Sequence, residues 1–186
     1  MTEAPKTYTV TAKTGKAGLF AGLLAAMAAI ATPVYVSWEG TKNTPYKDIV
    51  GVWTVCSGDT RNVVPGKKLT DAECDERTRR IVQEFGETVA LSSPGIELSP
   101  YEWAAHTVFA ANVGMPNYNR SSIRKNYNAG NFVEACRAMR LYDKAGGKSV
   151  LGLKYRREGR DSRIGEYELC LAGAIPKALN NVPKTS

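Results

Sequence analysis

Glu39, Asp48 and Thr54 are the residues whose types and spacing can do chemistry: Asp48 follows Glu39 by nine positions and Thr54 follows Asp48 by six. Two carboxylates on different local elements can face each other across a cleft, which is what glycoside hydrolysis needs. One, protonated, serves the leaving oxygen, and the other, ionised, acts as base or nucleophile. Trp38 and Val36 beside Glu39 offer apolar cover that favours a protonated acid. Lone His106 has no G-x-S-x-G or similar nucleophile motif to serve, so it is read as a packing residue. One His and four dispersed Cys without a C-x-x-C pair lack the spacing of a structural zinc site, so neither a metal nor a cofactor is expected.

The elements that must hold these residues have local signals. Residues 44–69 mix Pro and Gly with β-formers at Tyr46, Ile49-Val50, Val52–Val55 and Val63-Val64, which predicts a small antiparallel sheet carrying Asp48 and Thr54. Thr70-Asp71-Ala72-Glu73 and Ser99-Pro100-Tyr101-Glu102 read as capping boxes, and Asn131-Phe132-Val133-Glu134 has a similar form. Phe132, Cys136 and Met139 fall at i, i+4 and i+7, which turns Cys136 to the core. A last helix is expected from about Asp161 to Leu171, stopped by Pro176 and Pro183. A small sheet followed by four or five helices is an α+β plan, with residues 38–186 as one domain.

Ahead of Glu39 lie a basic segment, residues 1–16, and an uncharged run of 22 residues from Ala17 to Trp38. As a helix that run would span ~33 Å, enough for a bilayer core. Seven of its positions are Ala and two are Gly, so it is long but weakly hydrophobic. No polar face recurs at helical spacing between Ala17 and Ala31, which disfavours a buried amphipathic helix. A cleaved signal peptide with Ala29-Ile30-Ala31 as cleavage site and an uncleaved signal anchor remain, and either exports the rest of the chain. Cys56, Cys74, Cys136 and Cys170 fit two disulfides in an oxidising compartment, with three pairings open. The net charge of +7 draws the protein to polyanions. Lys67-Lys68, Arg77, Arg79-Arg80 and Arg156-Arg157 are read as solvated faces, since no nucleic-acid-binding motif accompanies them.

The run from Glu39 through Tyr46-Lys47-Asp48-Ile49-Val50-Gly51-Val52-Trp53-Thr54-Val55-Cys56 resembles the catalytic signature of the phage-type lysozymes, with Glu, Asp and Thr at Glu-x8-Asp-x5-Thr spacing. The likeness continues through Leu69–Cys74, Asn112-Val113-Gly114, Ala145–Lys148 and Gly152-Leu153 to Glu166…Cys170-Leu171. With the weak anchor at residues 17–37, the chain looks like a signal-anchor-release endolysin of a phage of a Gram-negative host. The resemblance implies a two-lobed lysozyme-like α+β fold and a monomer acting on peptidoglycan, with the β-1,4 bond between N-acetylmuramic acid and N-acetylglucosamine as target. Glu39 would be the general acid, with Asp48 and Thr54 positioning water in an inverting scheme that wants carboxylates roughly 6.5–9.5 Å apart. The same resemblance favours Cys56 with Cys74 and Cys136 with Cys170, and an Arg paired with Glu39. Asp48 stands where some relatives carry a regulatory Cys, and Asp59 stands where relatives often have His. The implied location is the inner membrane, facing the periplasm and inactive while tethered, then the periplasm after release. A lytic transglycosylase and a non-enzymatic wall-binding module are the rival readings.

Overall fold

The computed structural model describes residues 8–9, 17–48 and 51–180. In chain order it comprises β1 (Tyr8–Thr9), α1 (Ala17–Glu39), β2 (Lys42–Lys47), β3 (Trp53–Cys56), α2 (Asp71–Ser92), β4 (Glu97–Leu98) and α3 (Pro100–Val113). There follow α4 (Met115–Arg120), α5 (Ser122–Asn128), α6 (Phe132–Met139), β5 (Lys144–Ala145), β6 (Lys148–Ser149), α7 (Leu151–Glu158) and α8 (Glu166–Asn180). This is the α+β plan, with three two-stranded antiparallel sheets, β1–β4, β2–β3 and β5–β6, and more helical elements than the four or five expected after the first sheet.

α3 is the axis of the helical lobe. Every residue from Glu102 to Ala110 is buried, as a helix apolar nearly all round must be. The alanines at 104, 105 and 110 let α1, α2 and α8 approach it closely. Trp103 donates its indole N–H to the Gly86 carbonyl at 2.9 Å, so its one polar atom is satisfied inside the core. His106 is a packing residue here, its Nδ1 2.8 Å from the Tyr118 hydroxyl and its ring 4.3 Å from that of Tyr127.

α1 corrects the expectation that no buried face exists between Ala17 and Ala31. Leu23, Leu24, Met27, Ala28, Ala31 and Tyr35 are buried, while Ala21, Gly22, Ala25, Ala26 and Ala29 on the other face are exposed. The two faces differ in the size of their apolar side chains and not in polarity, so a search for a polar stripe misses them. Phe20–Glu39 is also long and apolar enough to cross a membrane. Gly86 on α2 receives Met27: a Cβ at residue 86 would overlap the Met27 methyl.

Thr70 forms the capping box with Glu73 in both directions. Ser99 does precede α3, but its side chain makes no cap bond, and Glu102 turns into the core. Asn131 likewise starts α6 without a side-chain cap, and Phe132, Cys136 and Met139 are buried as their spacing predicts. Among the β-formers, Tyr46 pairs with Thr54 and Lys47 with Trp53. Ile49-Val50 lies outside the described residues, and Val63-Val64 forms no strand. The last helix starts five residues later than expected and runs through Pro176. Packing against α3 and α6 outweighs the loss of one backbone bond there. Pro183 lies outside the described residues.

Both disulfides implied by the resemblance are present, Cys56–Cys74 and Cys136–Cys170. Closing loops of 18 and 34 residues, each is worth about 3–4 kcal/mol through the unfolded chain. Beside the first, buried Asp59 locks the loop after β3. Its Oδ1 accepts from the Arg61 backbone and its Oδ2 from Arg77 Nη1 at 2.9 Å. Burial works to raise the Asp59 pKa, but these hydrogen bonds and the Arg61 charge outweigh it and hold the carboxyl below its usual value. The stabilisation is therefore complete above the unfolded value near ~3.9 and is lost as pH falls through the lower folded value. Asp59→Asn should lower stability in urea by about 2 kcal/mol at pH 7, with the gap to the wild type closing below about pH 4.

Candidate active site

Glu39 is the last residue of α1, and Gly40 at φ +72° ends the helix, its N–H bonded to the Val36 carbonyl at 2.8 Å. The chain then enters β2 after a two-residue link, so the helix end fixes where the hairpin begins. Asp48 sits where β2 turns back. Its N–H donates to the Val52 carbonyl at 2.9 Å and its Oδ1 accepts from the Val52 N–H at 2.8 Å. Thr54, on β3, is buried and donates to the same Val52 carbonyl at 3.1 Å. Asp48 and Thr54 are thus brought together by the hairpin turn, while the Glu39 carboxylate reaches to the helical lobe.

There Glu39 Oε1 accepts from Arg156 Nη1 at 2.6 Å. Trp38, beside Glu39 in the chain, is turned to the loop between α7 and α8. Its indole N–H donates to the Ile164 carbonyl at 3.0 Å, and the Arg163 guanidinium lies over its ring at 4.4 Å. Arg156 is the arginine partner that the resemblance implies without identifying it. Arg156-Arg157 corrects the reading of that doublet as a solvated face, since only 5% and 1% of the two residues is exposed. Burial opposes the Arg156 charge, but Glu166 and Glu39 outweigh it and push its pKa up.

Glu166 holds the pair together. Wholly buried in the first turn of α8, it accepts from Arg156 Nε at 2.9 Å and from Arg157 Nη1 at 2.5 Å. Arg157 continues to the Asn112 side-chain oxygen at 2.7 Å and to the Tyr142 carbonyl at 3.0 Å. Glu166 and Asn112 carry no expected role in the sequence beyond lying in the matching segments. The ion pairs need α7 and α8 to fold together across the intervening loop, and residue spacing does not encode that.

The cluster borders open space. Trp38, Asn112, Leu153 and Arg156 line a cleft of about 520 Å³, and Asn112, Leu153 and Arg157 also line a second of about 620 Å³ with Tyr142, Lys144 and Arg120. Guanidinium and amide groups in such linings suit recognition of a hydroxyl-rich substrate.

The family model described as phage lysozyme matches residues 36–160. The SAR-endolysin of Enterobacteria phage PA-2 is 38% identical over 139 residues, covering 73% of this chain and 78% of its own. That of Pseudomonas phage phiKMV is 37% identical over 152 residues, covering 81% and 89%. Among solved structures, the active form of P1 phage endolysin Lyz aligns with a TM-score of 0.65 at 25% identity, covering 81% of this chain and 94% of its own. The muramidase domain of SpmX from Asticaccaulis excentricus aligns with a TM-score of 0.66 at 22% identity, covering 76% and 95%. The observed architecture is accordingly lysozyme-like.

Replacing Arg156 by Met would leave Glu166 with one partner and Glu39 with none on this side. Urea unfolding of Arg156→Met should show a loss of about 3–5 kcal/mol, the cost of breaking a buried ion pair from one end.

Proposed function

Because the chain belongs to the phage lysozyme family, we propose that it is an endolysin that hydrolyses the β-1,4 bond between N-acetylmuramic acid and N-acetylglucosamine in peptidoglycan. The observation that carries this reading is the position of Glu39. It ends α1 next to Trp38 and is ion-paired to Arg156, both of which line the cleft, and it lies two residues from the hairpin that bears Asp48 and Thr54. Glu39, a carboxylate paired with Arg156 at rest, takes up a proton as substrate covers it and passes that proton to the glycosidic oxygen, after which Arg156 again stabilises the carboxylate. Asp48 takes a proton from a water, whose oxygen bonds to the anomeric carbon as the glycosidic C–O bond breaks. Thr54, its O–H directed to Val52, accepts a hydrogen bond from that water. The attack inverts the anomeric centre and releases a reducing muramic acid end.

Regulation follows from placing the acid at the end of a helix that can also lie in lipid. In this reading residues 1–16 stay in the cytoplasm, residues 17–37 span the inner membrane, and residues 38–186 face the periplasm as the catalytic part. Insertion holds Glu39 at the bilayer surface and takes Leu23, Met27 and Tyr35 away from the core they occupy here. Lys6, Lys13 and Lys16 against Glu3 give the tail a side-chain charge of +2. Drawing it outward against 100 mV costs about 5 kcal/mol, at roughly 2.3 per charge. Collapse of the potential removes that barrier, and the released helix docks as α1. The SAR-endolysin names of the relatives and the apolarity of Phe20–Glu39 support this sequence of events.

Mass spectrometry of purified peptidoglycan digested with wild type and with Glu39→Gln tests the chemistry. Reducing-end muramic acid products should come from the wild type, with a loss of at least about a hundredfold in the variant. Anhydro ends would instead mean a transglycosylase, and binding without products would mean a wall-binding module. Gly22 and Ala25 project from the exposed face of α1, and a Cβ at Gly22 meets nothing within 4 Å. Gly22→Leu with Ala25→Leu should therefore hold the protein in the membrane fraction after the potential collapses, without blocking docking. Release at the wild-type rate would sink the anchor hypothesis.

A further inference from the structure

We infer that Glu166 is a positioning residue for Glu39, acting through Arg156; this rests on the hydrolase reading. Arg156 spans two carboxylates with different edges of one rigid plane: Nε binds Glu166 at 2.9 Å and Nη1 binds Glu39 at 2.6 Å. A planar fork fixed along one edge has the direction of the other edge fixed as well. The remaining hydrogen bond of Arg156, to the Val108 carbonyl, is long at 3.5 Å, so Glu166 is what sets the plane. Glu39 needs such a guide. Its side chain is 34% exposed, against 6% for Arg156 and none for Glu166, so of the three only the acid has room to swing.

Glu166 is itself rigidly seated. Arg157 grips its second oxygen at 2.5 Å and is held in turn by Tyr142 and Asn112, with its guanidinium 4.6 Å from the Phe109 ring centre. Preceding Gly165 packs so closely on Gly159 that a Cβ at 165 would overlap the Gly159 nitrogen. A carboxylate present only to neutralise two buried arginines would serve equally well without contacting the guanidinium that reaches Glu39. Here each arginine takes one oxygen, which leaves Nη1 of Arg156 aimed at the acid.

Glu166→Gln and Glu166→Asp, made in the full-length protein and assayed for reducing ends on purified peptidoglycan, separate positioning from stability. Glu166→Gln should lower kcat about tenfold to a hundredfold, the scale of a misplaced catalytic group, with KM within about twofold because substrate contacts are untouched. Glu166→Asp keeps the buried charge and so folds, and it should recover part of kcat. Val82→Ala, a core truncation in α2, lowers the melting temperature without touching the ion pairs and should leave kcat within about twofold. Combined with Arg156→Lys, Glu166→Gln should add almost nothing to the loss from Arg156→Lys alone. A folded Glu166→Gln with wild-type kcat, or losses that multiply in the double variant, overturns the inference. If Glu166→Gln does not fold, wild-type kcat in Glu166→Asp overturns it. A wild-type protein that cleaves nothing removes the hydrolase reading, and this one with it.

Discussion

Charge neutrality inside the helical lobe is the constraint on which the rest depends. Arg156 and Arg157 are both buried, and wholly buried Glu166 supplies one negative charge between them. Taken alone that triad carries a net positive charge in a region that solvates charge poorly. Glu39 supplies the missing charge, and it arrives on α1, more than a hundred residues away in the chain. Under the proposed anchoring, docking of the N-terminal helix and completion of the buried ion cluster would therefore be one event. The helix that fills the apolar groove against α2 and α3 also brings the fourth member of the electrostatic set.

In the proposed reading α1 must suit two solvents, lipid and water, and its composition fits both. In the folded protein its large side chains, Leu23, Leu24, Met27 and Tyr35, point inward, while alanines and Gly22 face water. Alanine is apolar enough to sit in lipid and small enough to expose little area to water. A conventional amphipathic helix with charges outside would pack as well but would resist the bilayer. A leucine-rich span would insert firmly but leave a greasy stripe on the folded protein.

Much of this fold is legible in the sequence where the signal is local. Thr70 and Glu73 lie three apart and cap a helix, Phe132, Cys136 and Met139 share a face, and Tyr46 and Thr54 flank a turn. The same logic misleads where a tertiary partner decides. Ser99 and Glu102 have capping-box spacing, yet α8 crosses there so closely that a Cβ on Gly173 would strike the Ser99 hydroxyl, and Glu102 is drawn into the core. Arg156-Arg157 has the look of a surface doublet because its counter-charge lies beyond a loop, on another helix. Glu39, Asp48 and Thr54 stand out in the sequence because a helix end and one hairpin carry all three. Their cleft neighbours Asn112 and Arg156 come from distant helices and emerge only from the packing.

The notch at Gly86 has a consequence for how the N-terminal helix finds its seat. It accepts the end of one side chain, Met27, and a helix displaced by a single residue swings that methionine away by roughly 100°. Alanine from position 26 or 28 would then face the notch and leave it empty, with Leu23 and Tyr35 turned from their own sites. Under the proposed release, partial withdrawal from the bilayer would thus yield no partly docked enzyme. The notch works as a key on the axial register of the helix, so under the proposed release lytic output would follow the number of molecules that have seated fully, and a population of slowly emerging chains would switch on one molecule at a time.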